Sequence, residues 1–120
     1  MTNAMILKMI AAGASILFGI FALVVPKRTA DAAALKADTP EGQAEIRASW
    51  GGLFIGLGIA VLYLGTDDAY SVFGIAYAIT ALVRAATWVQ NRSLVNRTSA
   101  IIMGFEIVSA IIFAIPGDLF

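Results

Sequence analysis

The chain contains no cysteine and no histidine. Without cysteine there are no disulfides, no thiolate metal sites and no thiol nucleophile. Without histidine, the commonest metal ligand and the usual general base near neutral pH are gone as well. Charge is scarce: charged residues make up 13%, and eight Lys and Arg balance eight Asp and Glu. A net charge of zero leaves no basic field to hold nucleic acid. These residue types lead us to expect no cofactor, no metal and no nucleic-acid partner.

What the sequence has instead is apolar residues. They make up 60% of the 120 positions, and the mean hydropathy is +0.88. Typical soluble domains carry only ~45–50% apolar and ~25% charged residues. A chain of this length forms one modest domain at most. Its apolar surplus needs a water-excluding partner, so the expectation is an integral membrane protein whose first partner is the lipid bilayer.

Four stretches approach the ~20 residues that cross a bilayer core as a helix. They run over residues 5–26, 49–65, 69–90 and 99–117. The predicted fold is all-α: an antiparallel four-transmembrane-helix bundle forming one domain over residues 1–120. The first span is not read as a cleaved signal peptide, because its basic pair, Lys27 and Arg28, follows the apolar run instead of preceding it.

The polar link over residues 27–48 is alanine-rich at 29–37, which suggests a short surface helix. In "DTPEG", Thr39 reads as an N-cap and Pro40 as the first helical residue of the second span. Links 1–2 and 3–4 share a side and hold Lys27, Arg28, Lys36, Arg47, Arg92 and Arg97, whereas the opposite side has only Lys8. The positive-inside rule then puts both links in the cytoplasm and both termini outside. On that side the sequons Asn91-Arg92-Ser93 and Asn96-Arg97-Thr98 are polar turns supplying helix caps, not glycosylation sites.

Two strips of small residues recur at a spacing of four: Ala11, Ser15 and Gly19 in the first span, and Gly52, Gly56 and Ala60 in the second. Such strips let helix backbones approach closely in lipid. We expect them to be helix-packing faces within one bundle, with dimerisation as the alternative.

Within "AITALVRAATWV", Arg84 stands alone among apolar and uncharged residues. Its helical face also holds Phe73, Tyr77, Thr80, Thr87, Trp88 and Asn91. Arg84 is seven residues before Asn91, and Glu106 is seven residues after Ser99. At ~1.5 Å rise per residue both lie about 10 Å from the same end of their spans. An unpaired charge in the membrane costs at least ~2.5–3.5 kcal/mol, so an Arg84–Glu106 pair is expected. Glu45 is near enough in depth to complete an intramembrane charge cluster.

The segment "EIRASWGGLFIGLG", the arginine of the third span and the glutamate early in the fourth resemble a family of bacterial membrane proteins, the domain of unknown function 4345. The resemblance covers nearly the whole chain and falls on Pro26, Glu45, Arg47, Gly51, Gly52, Arg84 and Glu106. It implies a four-helix protein of the bacterial inner membrane and implies no activity.

The chemistry available favours a small non-catalytic membrane protein, a structural or accessory subunit that packs on itself as a homo-oligomer or on a larger membrane complex. The alternative is a small oligomeric transporter or channel with Glu45, Arg84 and Glu106 as its polar site. A lipid- or quinone-binding protein is a further alternative. No catalytic residue is identified, because no nucleophile–base pair, metal cluster or phosphate loop is present.

Overall fold

The computed structural model describes all residues, Met1–Phe120, as helices and connections with no strand. Helix α1 covers Asn3–Val24, α2 Pro26–Ala32, α3 Pro40–Glu45, α4 Leu53–Leu64, α5 Asp67–Gln90 and α6 Arg97–Ala114. A π-helical segment, Ile46–Gly52, joins α3 to α4 without interruption. The four helices long and apolar enough to cross a membrane are therefore Asn3–Val24, Pro40–Leu64, Asp67–Gln90 and Arg97–Ala114.

The helix ends follow local chemistry. The Thr39 side chain accepts from Gly42 N at 3.0 Å with Pro40 in the first turn, so the second long helix starts as its cap residues dictate. Thr66 caps α5 by accepting from Ala69 N, and Asp67 and Asp68 sit in its first turn, where the positive end of the helix dipole favours them. Asn96 and Ser99 form a reciprocal capping box at the start of α6.

The alanine-rich link departs from its expected helix over residues 29–37. The helix there starts earlier, at Pro26, and stops at Ala32. Leu35 N bonds to Ala30 O and Ala34 N to Asp31 O, with Ala34 at φ 60°. This is a Schellman closure with alanine in the left-handed position that glycine usually takes. Its turn redirects the chain before the next helix begins.

The chain divides into two compact units, Met9–Leu64 and Met1–Lys8 with Gly65–Phe120. In the 9–64 unit, α1 and α4 run antiparallel. Gly58 faces Ala12 and Ile16 at one end of the contact, and Gly51 faces Gly19 and Leu23 at the other. A Cβ on Gly19 would stand 2.8 Å from Ile55 Cγ1 and 2.9 Å from Gly51 O, so glycine is what permits this approach. Phe18 completes the contact against Trp50 at 5.6 Å and Phe54 at 5.0 Å.

The second span packs through a different strip from the one expected. Ala11, Ser15 and Gly19 are buried, but Gly52, Gly56 and Ala60 are exposed, and a Cβ on Gly52 or Gly56 would meet nothing within 4 Å. The packing face runs instead through Gly51, Ile55 and Gly58. Gly51, Ile55 and Gly58 follow the i, i+4, i+7 spacing of one helix face, adjacent to the face that holds Gly52, Gly56 and Ala60.

In the other unit, α5 and α6 form an antiparallel hairpin around an aromatic stack. Phe113 lies 5.0 Å from Phe73 and 5.8 Å from Tyr70, with ring planes within 16° of parallel in both pairs. Gly74 lets α6 approach, since a Cβ there would stand 3.0 Å from Phe113 Cβ.

Candidate functional site

The α5–α6 hairpin carries the expected charge pair. Arg84 projects from the second half of α5 and Glu106 from the middle of α6. Arg84 Nε donates to Glu106 Oε1 and Nη2 to Oε2, both at 2.8 Å. This is the planar two-point match between guanidinium and carboxylate, which fixes orientation as well as distance. The Glu106 side chain keeps 7% of its surface exposed and that of Arg84 keeps 30%. The carboxylate is thus enclosed while the arginine reaches a more open setting.

The other polar residues expected on this face of α5 turn to their own helix. Thr80 Oγ1 donates to Ala76 O at 2.8 Å, and Thr87 Oγ1 donates to Arg84 O at 2.7 Å. Both threonines are exposed. Glu45 belongs to the 9–64 unit, where it ends α3 as an exposed residue. Two of the three charges named from the sequence therefore meet in one hairpin, and the third stands in the other unit.

In the 9–64 unit, Arg47 Nε donates to Leu23 O at 3.1 Å. That carbonyl lies in the last turn of α1, where a helix leaves backbone acceptors unpaired. Arg47 is thus a side-chain cap for α1. Gly51, four residues further along, lies against Gly19 O and Leu23.

A second charged node lies outside the sites expected from the sequence. Lys8, 1% exposed, places Nζ 2.9 Å from Asp67 Oδ1 and 5.4 Å from the centre of the Tyr70 ring. The Asp67 carboxylate also accepts from Gly117 N, at 3.1 Å and 3.0 Å. Thr2 Oγ1 donates to Gly117 O, and Ala4 N donates to Phe120 O at 3.1 Å. One carboxylate thus fastens the start of α1, the start of α5 and the segment after α6. The available signal was a lone lysine inside the first apolar run and an aspartate opening the third.

The two sequon asparagines act as caps. Asn91 Oδ1 accepts from Ser93 N at 3.1 Å, and Asn96 Oδ1 accepts from Ser99 N at 2.9 Å. No group of acidic residues is arranged to hold a metal ion. No curated protein and no solved structure matches the chain. A family model does match, over residues 4–115, and it takes in both units together with Arg47, Arg84 and Glu106. The chain belongs to the family described as domain of unknown function (DUF4345).

Proposed function

We propose that this chain is a small non-catalytic integral membrane protein, a structural or accessory subunit that packs on itself or on a larger membrane complex. The observation that carries this reading is the two-point closure of Arg84 on Glu106. The two charges deepest in the apolar helices are committed to one another, so their first role is to hold α5 and α6 in register. The location we infer is a bacterial inner membrane, and Lys27, Arg28, Lys36, Arg47, Arg92 and Arg97 support an orientation with both polar links in the cytoplasm and both termini outside.

Mild detergent extraction followed by size-exclusion chromatography with mass measurement tests the assembly, with an oligomer or a co-purifying membrane protein expected. A monodisperse monomer overturns it. The absence of native cysteine makes orientation simple to test with an impermeant maleimide on intact cells. Lys36→Cys is expected to stay unlabelled and Asp118→Cys to react.

One observation favours a second reading, a small oligomeric transporter. Arg84 keeps more exposure than its partner, so a substrate anion could compete with Glu106 for it. In that case Glu106→Gln abolishes flux in proteoliposomes while the helices remain folded.

A further inference from the structure

Between α5 and α6 runs an open furrow whose lining residues are all apolar. Ala78, Ala81 and Ala85 floor one side, Ile107 and Ala110 the other, and Trp88 stands at one end. From Ala78 to Trp88 the helix rises about 15 Å, at ~1.5 Å per residue. That is half of a ~30 Å hydrocarbon core, the depth of one leaflet. The Trp88 end is the end at which α5 gives way to the turn and α6 begins. Tryptophan favours the boundary between hydrocarbon and headgroups.

The same turn holds Arg92 and Arg97, both exposed, and neither forms a salt bridge. No acidic residue occurs between Asp68 and Glu106, and Glu106 is already held by Arg84. The furrow therefore opens toward free positive charge. We propose that it holds one acyl chain of an anionic phospholipid from that leaflet, whose phosphate is bound by Arg92 and Arg97. Length, lining and charge agree on this occupant. The furrow is one leaflet deep and lined by apolar residues, small side chains leave room for a hydrocarbon tail, and basic residues between membrane helices hold anionic headgroups. This goes beyond the subunit reading and does not depend on it, since lipid would fill the furrow whether or not the chain joins a complex.

Trp88 is the natural reporter. With Trp50→Phe removing the other tryptophan, the protein is reconstituted in phosphatidylcholine vesicles containing a fixed fraction of dibrominated lipid. Dibrominated phosphatidylglycerol is expected to quench Trp88 with about ten-fold higher relative affinity than dibrominated phosphatidylcholine. Arg92→Gln with Arg97→Gln should abolish that preference; these side chains are exposed, so the fold is left intact. Ala81→Leu with Ala85→Leu should fill the furrow and reduce quenching by either lipid to that of bulk contact. Equal quenching by the two headgroups overturns the proposal, as does a preference that survives the arginine substitutions. Shielding of Trp88 from both lipids, as a helix of a second copy would produce, also overturns it.

Discussion

The two helix pairs of this protein are fastened by different chemistry. In the 9–64 unit, α1 meets α4 through glycines. Gly19 lies against Gly51 and Ile55, and Gly58 against Ala12 and Ile16; the one charged side chain in the contact, Arg47, bonds a backbone carbonyl and makes no ion pair there. In the α5–α6 hairpin the contact is made by large groups, the stack of Tyr70, Phe73 and Phe113 and the Arg84–Glu106 pair. Lipid tails are as apolar as leucine, so burying leucine does little to bring membrane helices together. What remains is close van der Waals packing or a polar contact that lipid cannot replace. Here the α1–α4 pair relies on close packing, whereas the α5–α6 pair adds a charged contact to its packing, so a different kind of substitution should break each.

The largest effect is expected at the charge pair. Glu106→Ala leaves Arg84 without a counter-charge and should destabilise the hairpin by about 3 kcal/mol, read as a lower midpoint in detergent denaturation. Replacing both residues by methionine should recover most of that loss, because no uncompensated charge remains. If the double variant is as unstable as the single one, the pair does more than hold register.

Next in size is the glycine contact. A Cβ on Gly58 would collide with Ile16 Cγ1 and stand 3.1 Å from Ala12 O, so Gly58→Ala should cost about 2 kcal/mol through overpacking. This loss should not depend on whether Arg84 and Glu106 are present; non-additive effects would show that the two contacts act as one.

A local effect is expected at the third fastening. Lys8→Met removes the donor to Asp67, so amide hydrogen exchange should rise over residues 4–8 and in the segment after α6, with the α5–α6 midpoint little changed. Smallest of all, Gly56→Ala meets nothing within 4 Å and should leave monomer stability unchanged to within about 1 kcal/mol. Should it instead disrupt an oligomer, the exposed Gly52–Gly56–Ala60 face is where copies meet.

Much of this was legible in the residues. Apolar runs of membrane length mark the four long helices, because backbone satisfaction in lipid leaves helix as the natural form. Thr39 and Pro40 announce a helix start through chemistry that is local to three residues. Arg84 and Glu106 can be matched by depth alone, since rise per residue is constant and antiparallel neighbours share an end. The node at Lys8 could not be reached this way: it joins residues 59 and 109 positions from Lys8, and no periodicity connects them.

Composition and periodicity by themselves determined that this chain is helical, apolar enough to span a membrane four times, and short of the residue types that most catalysis uses. Those properties add residue by residue. Tertiary structure decided which faces meet. Gly51, Ile55 and Gly58 form the contact with α1 in place of Gly52 and Gly56, although both sets have helical spacing on the same segment. Register depends on what a backbone meets at the contact. A linear pattern does not carry that information.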